Sequence, residues 1–252
     1  MPNNDKQKKL QAFSELLDVL DTLREKCPWD AKQTNESLRP NTIEETMELA
    51  EAIVTDDVEN IKKELGDVLL HIIFYAKIGD EKGQFDIADV CDALRKKLIY
   101  RHPHIYGTQH VENAEHVLQN WEELKLKEKG GNKTVLSGVP SALPALIKAE
   151  RIQEKAANVG FDWEKPEDVW PKVFEEVKAE IAAGNTENTE KELGDLLFAV
   201  VNAARLYKVR PDNALEKTNL KFISRFNYIE QQAIAQGRRV NELSLDEMEA
   251  LW

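Results

Sequence analysis

Four carboxylates in the first third of this chain have the types and spacing to do chemistry. Glu45 and Glu48 lie in one segment and Glu64 and Asp67 in the next, each pair three residues apart. In a helix, residues three and four apart share a face, so each pair points one way. Ile43, Met47, Ala50 and Val54 form an apolar stripe beside the first pair. Ile61, Leu65, Val68 and Ile72 form another, with Glu64, Asp67 and His71 along its edge, while Lys62 and Lys63 fall on other faces. Acids segregated beside a core stripe are destabilising unless they are paired. The short Thr55–Asn60 connection predicts an antiparallel helix pair that gathers the four carboxylates. Hard oxygen donors facing one another repel unless a cation sits between them, and Mg²⁺, or Mn²⁺, suits that donor set. The plain alternative is an acidic hairpin with solvent-facing glutamates.

The elements that must position these residues read as helices throughout. Glycine and proline are few (11 and 9 of 252 residues), long runs follow a 3.6-residue period, and no stretch alternates like a strand. A first helix is predicted over Lys8–Lys26, with Leu10, Phe13, Leu16, Leu17 and Leu20 on one side. Pro28 breaks it in the loop Cys27–Thr34, where Asp30 is placed to begin another turn. The two acidic helices follow, the second reaching Lys82, with a turn at Gly83 and Phe85. A helix over Ile87–Arg101 is stopped at Pro103, and Ala114–Lys129 form one more. Glycine, serine and proline concentrate in Gly130–Pro144, which reads as a linker between residues 1–129 and 145–252. Lys133-Thr134 is not a P-loop, because no strand precedes it and the glycine pattern is missing.

After that linker the chain repeats itself, with an offset of about 130 residues. Glu192–Tyr207 echoes Glu64–Gly79, Phe174–Ile181 echoes Ile43–Ala50, and Gly160–Trp163 loosely echoes the Cys-Pro-Trp-Asp run at Cys27. Lys221–Phe226 echoes Lys97–His102, each with a Lys-x-x-x-Arg pair. Surface acids placed at random would not recur in the same order with the same basic helix, and this weighs against the plain hairpin. Each unit therefore offers carboxylates from two helices and cations from a third. Carboxylates hold hard divalent ions that bridge phosphate oxygens, and lysine and arginine one turn apart can clamp the remaining phosphate charge. Lys217, Lys221 and Arg225 share one face in the second unit, and Lys172 lies one turn before Glu176. Trp252, or Trp29 and Trp163 in loops, can stack on a base. Taken singly, these cations read equally as a solvated flank and these tryptophans as core.

The run Glu-Glu-x-x-Glu, then Glu-x-Gly-Asp, then Lys-x-x-x-Arg, duplicated in a chain of this size, resembles the MazG family of nucleoside triphosphate pyrophosphohydrolases. The His102–Gly107 run, Leu143–Trp163 and the terminal Glu247–Trp252 resemble its two-domain bacterial members. The resemblance implies an all-α fold, a tandem repeat of two such units in which helices of two chains complete four-helix bundles, hence a homodimer. It also implies hydrolysis of an NTP or dNTP to the monophosphate and pyrophosphate with magnesium, in nucleotide house-cleaning. Carried over, the metal ligands are Glu45, Glu48, Glu64 and Asp67 in the first unit and Glu176, Glu192 and Asp195 in the second. There the motif departs: Glu175-Glu176 is followed by Ala179, and Glu180 at i,i+4 is the acid that can stand in. Glu44 and Glu175, or Glu51, are candidates to orient the attacking water. Lys97 and Arg101 would serve the first unit's phosphates, and Lys172, Lys217, Lys221 and Arg225 the second's, with Trp252 on the base. The family pattern places activity mainly in the second unit, whereas in this chain the first has the intact motif, so both are retained as candidates.

Several classes are disfavoured. A net charge of −12 argues against non-specific nucleic-acid binding. Cys27 and Cys91 fit neither a ligand spacing nor a disulfide framework, which suggests a reducing cytoplasm. The N-terminal run lacks the apolar core of a signal peptide, and no 18-residue apolar run marks a membrane span. A di-iron bundle needs Glu-x-x-His on two helices, absent from the Glu-x-Gly-Asp segments. A helical interaction protein with acidic faces is the non-enzymatic rival, and its melting would not respond to metal.

Overall fold

The computed structural model describes residues 5–113, 116–117, 120–121, 124–125, 134–162 and 186–252. Every regular element among them is helical. The chain divides into two compact units, Met1–Gln109 and His110–Trp252.

In the first unit α1 (Lys6–Lys26) starts at Asp5, whose carboxylate accepts the backbone N–H groups of Gln7 and Lys8. α2 (Asn35–Val54) opens with a reciprocal cap between Thr34 and Ser37, and α3 (Val58–Glu81) opens on Asp57, which accepts the Asn60 N–H. The connection is thus only Thr55–Asp57, turned by Asp56 at φ 56°. So tight a link forces α2 and α3 to pack antiparallel along their length. Leu20 of α1, Leu38 of α2 and Ile73, Phe74 and Ile78 of α3 make the core, with Phe13, Leu16, Leu17 and Ile87 against it. α4 (Ile87–Arg101) is capped reciprocally by Asp86 and Asp89. The turn before it requires Gly79, because a Cβ there would lie 2.8 Å from the Phe85 carbonyl oxygen. α4 stops before Pro103 as expected, and Pro103 then opens a separate single turn, α5 (Pro103–Tyr106), at a position where its missing N–H leaves nothing unsatisfied.

One expectation is overturned. Ile43, Met47 and Ala50 of the first stripe and Leu65 and Ile72 of the second are exposed, with Val54, Ile61 and Val68 half-buried, whereas Glu64 and His71 are buried. The helices turn Glu64 and His71 toward α2 and leave these apolar positions exposed or half-buried within the described residues of the first unit.

In the second unit the Val135–Gly138 turn, inside the glycine- and proline-rich stretch, packs on α6 (Ala145–Ala157). α6 packs on α7 (Thr186–Leu206), and α8 (Pro211–Ala235) packs on both. Arg205 of α7 holds Asp162 through both guanidinium nitrogens and also donates to Asn202 Oδ1. Arg210 binds Glu150 and Glu154 of α6 at 2.9 and 3.0 Å. At the C-terminal end Ile229, Ala233 and Leu243 form a small core with Met248 and Leu251 of α9 (Leu245–Leu251). The helix expected over 114–129 lies largely outside the described residues; His116, Val117, Asn120, Trp121, Leu124 and Lys125 are helical. No helix among the described residues is long and apolar enough to cross a membrane.

Candidate active site

α2 and α3 bring three of the four first-unit carboxylates together. Glu45, Glu48 and Glu64 each place an oxygen so that all three atoms lie within 4.8 Å of one another. Glu64 comes from the middle of α3, is only 3% exposed, and its Oε2 is buried with no hydrogen-bond partner. Its Oε1 accepts from Lys63 Nζ at 2.7 Å. Asp67, one turn on, stands at the edge of the group, 3.9 Å from the same ammonium. Burial, then the charges of Asp67, Glu48, Glu64 and Glu44, hold the Glu45 carboxyl above the usual range. A buried carboxylate oxygen with no donor, beside two more acids, is out of balance without a cation. The donors are all hard oxygens from two helices, one of them fixed by burial, and this set fits a hard divalent ion.

Lys63 was expected on another face. At i,i+4 it shares a face with Asp67, and its ammonium also reaches Glu64, while Lys62 pairs with Glu59. Two further residues that motif reasoning did not single out support the site. Thr42 Oγ1 lies 3.0 Å from His71 Nδ1 and 2.6 Å from the Tyr75 hydroxyl, and it donates to the Leu38 carbonyl at 3.1 Å. The Thr42 hydroxyl thus joins the Leu38 carbonyl, His71 Nδ1 and the Tyr75 hydroxyl in one polar cluster. Burial keeps His71 below its ordinary range, against a smaller opposing pull from Asp67. This cross-link ties α2 to α3 one turn from the acids. The loop before α2 is held by Arg24, which binds Glu81 through two nitrogens at 2.9 Å and donates to the Asp30 and Gln33 carbonyls. Glu44 and Glu51 lie exposed on α2, and Lys97 is exposed on α4 with Arg101 half-buried at its end.

In the second unit Glu192 is half-buried and Asp195 exposed on α7. Lys172, Glu175, Glu176 and Glu180, and Trp163, lie outside the described residues. Lys217, Lys221 and Arg225 are exposed on α8. The Arg225 guanidinium lies over the Trp252 ring, 5.3 Å from its centroid, and Trp252 meets Phe222 edge-on at 4.9 Å. These two aromatics, with Phe226, Ile229, Leu245 and Met248, line an open groove of about 310 Å³. The basic face of α8 and the terminal tryptophan are therefore neighbours. Trp29 is exposed in the first unit.

The duplicated acid-and-base arrangement is a recognised one. A family model of the MazG nucleotide pyrophosphohydrolase domain matches residues 33–106 and again residues 172–229. The chain belongs to the MazG family. The two matched segments contain the two acidic stretches and their basic helices, so the recurrence is two copies of one domain. Over 243 residues the chain is 43% identical to a nucleoside triphosphate pyrophosphohydrolase/pyrophosphatase MazG of Thermotoga maritima, covering 95% of this chain and 94% of that one. Over 253 residues it is 39% identical to a nucleoside triphosphate pyrophosphohydrolase of Escherichia coli K12, covering 96% of each. A Mycobacterium tuberculosis nucleoside triphosphate pyrophosphohydrolase is 37% identical over 145 residues, 57% of this chain and 44% of that one.

Proposed function

We propose that the chain is a nucleoside triphosphate pyrophosphohydrolase that releases pyrophosphate and a nucleoside monophosphate, and that the first unit's carboxylate cluster is a magnesium site serving this reaction. The observation that carries the reading is Glu64: a buried carboxylate with an unpartnered oxygen, beside Glu45 and Glu48, in a MazG domain. Glu45, Glu48, Glu64 and Asp67 would hold the ion, as would Glu176, Glu192 and Asp195 with Glu180 in the second unit. When bound, the ion neutralises phosphate oxygens and makes a bound water more acidic. Glu44, exposed and adjacent to Glu45, would orient the attacking water and take its proton, as would Glu175 in the repeat. Lys97 and Arg101 in the first unit, and Lys172, Lys217, Lys221 and Arg225 in the second, would hold the triphosphate at their own unit's site and offset the charge gathering on the pyrophosphate. Trp252, already paired with Arg225, offers a face to the base.

The same surfaces support a homodimer. Ile43, Met47, Leu65 and Ile72 flank the cluster and are exposed in one chain, and a second copy packed on them would bury the stripes and exclude water from the acids. Two free cysteines suit a reducing cytoplasm, where clearing unwanted nucleotides is needed.

The test is pyrophosphate release from a panel of NTPs and dNTPs, with and without Mg²⁺. It is run on wild type, on Glu64→Gln/Asp67→Asn and on Glu192→Gln/Asp195→Asn. Mg²⁺-dependent release lost in the first double mutant assigns catalysis to the intact motif, and loss in the second alone moves it to the repeat. No Mg²⁺-dependent release from any nucleotide by wild type overturns the enzyme reading in favour of a helical interaction protein.

A further inference from the structure

Lys63 immediately precedes the buried Glu64, and its ammonium serves the same oxygens that a divalent ion would need. Its Nζ lies 2.7 Å from Glu64 Oε1 and 3.9 Å from Asp67 Oδ2, which spans the edge of the carboxylate group. The ammonium satisfies only one of the two Glu64 oxygens, since Oε2 remains without a partner. Its side chain is 61% exposed, so it can swing into water without disturbing any packing. Lys62, its neighbour, makes its ion pair with Glu59, away from the cluster. The arrangement is also written twice, because Lys63-Glu64-Leu65-Gly66-Asp67 recurs as Lys191-Glu192-Leu193-Gly194-Asp195.

We propose that Lys63 is a tethered counter-cation of the first-unit site, competing with the divalent ion for Glu64 and Asp67 and so setting how much metal the site needs. The proposal rests on the reading of the cluster as a metal site. A single positive charge cannot balance the converging acids, whereas a divalent ion would supply twice that charge. Binding therefore displaces the ammonium, and the displacement weakens the measured affinity. Because the lysine is covalently attached, its competition does not vary with protein dilution. It raises the divalent-ion concentration needed to half-fill the site, while Lys63 offsets only part of the acids' charge.

The experiment is a Mn²⁺ titration followed by electron paramagnetic resonance of the free ion. It uses the full chain carrying Glu192→Gln/Asp195→Asn, so that only the first unit's site is read. Into this background go Lys63→Met, Lys63→Arg, Lys62→Met and Glu64→Gln. Methionine keeps the stem and the helix propensity while removing the charge. Lys63→Met is expected to tighten Mn²⁺ binding by about five- to tenfold, the scale of one charge contact at a partly solvated site. Lys62→Met makes the same change in net charge and should stay within about twofold of the parent, since exposed charges off the site are screened. Lys63→Arg should bind no more tightly than the parent. Equal affinity in Lys63→Met and Lys62→Met, or tightening in Lys63→Arg, overturns the proposal while leaving the metal site standing. Unchanged binding in Glu64→Gln overturns the metal-site reading itself.

Discussion

Replacing Glu64 by glutamine should stabilise the metal-free protein while abolishing its response to metal. A buried charged residue usually destabilises the fold when it is altered, so this sign is specific to a crowded acid site. Glu64 faces Glu45 and Glu48 with oxygens within 4.8 Å. At that separation Coulomb's law gives about 0.9 kcal/mol per pair in bulk water and about 3.5 kcal/mol at an effective dielectric of about 20. Glu48 is exposed and Glu45 half-buried, so each repulsion is about 1–2 kcal/mol. Glutamine removes both repulsions, and its amide N–H groups can donate to the remaining acids. The lost pair with the mostly exposed Lys63 gives back about 1 kcal/mol. The balance is a stabilisation of about 1–3 kcal/mol, which for a unit of this size raises its melting transition by roughly 5–10 °C in EDTA. Saturating Mg²⁺ should reverse the order. At a concentration of 100 times Kd it adds about 2.7 kcal/mol to wild type and nothing to the variant. Differential scanning calorimetry in EDTA and in Mg²⁺ reads both effects. A Glu64→Gln protein that melts below wild type in EDTA, or that Mg²⁺ still stabilises as much as wild type, would refute the reasoning.

Other perturbations test neighbouring parts. Glu45 has its folded-state pKa raised above the ordinary 4.5 by burial and by like charges. The folded protein therefore binds more protons than the unfolded chain between those two values. Its contribution is fully present below 4.5 and is lost as pH rises through the folded pKa. Urea unfolding in EDTA should thus show the Glu45→Gln variant gaining on wild type as pH is raised from mildly acidic to neutral, and a constant difference would contradict the assignment. Arg24→Ala removes the clasp on Glu81, Asp30 and Gln33 and a guanidinium lying 5.5 Å from the Phe74 ring centroid. It should cost about 2–3 kcal/mol in chemical denaturation, the range for a partly buried, multiply bonded charge. Trp252→Ala should raise KM for nucleotides by roughly tenfold with kcat little changed, as loss of one base-stacking face predicts. Equal KM values would leave the ring a purely structural lid on Phe222.

Much of this architecture was legible in the sequence, because helix ends are local chemistry. The turn at Gly83 and Phe85 and the proline at 103 bracketed α4 over Ile87–Arg101, and the Asp86 cap seen at its start is chemistry of the same short range. The convergence of Glu45, Glu48 and Glu64 was legible for a related reason: a short connection leaves two helices little choice but to pack antiparallel. The destination of the apolar stripes was not. Periodicity marks Ile43, Met47, Leu65 and Ile72 as a face that avoids water, but it carries no information about whether the cover comes from the same chain. Their exposure here is itself an argument for a partner copy.

Lys63 marks a different limit. Helical-wheel reasoning assigns a direction to each Cα–Cβ bond, and by that measure Lys63 belongs beside Asp67 at i,i+4 but not against Glu64, its immediate neighbour in sequence. A lysine stem is long and flexible enough to lie across the helix surface and deliver its charge one face over. The Thr42–His71–Tyr75 cross-link escaped for yet another reason, since each member is ordinary in isolation and gains meaning only when α2 and α3 are set side by side. Its counterparts by register in the repeat are Val173, Ala199 and Ala203, none of which can form it. The two copies of the domain therefore share the Glu-x-Gly-Asp acids, differ by one acid on the other helix, and differ in the residues beside them. The first unit uses a buried polar bridge between helices where the second has small and apolar side chains. A carboxylate motif records which residues meet a metal, while the rigidity with which they meet it is written in the residues one turn away.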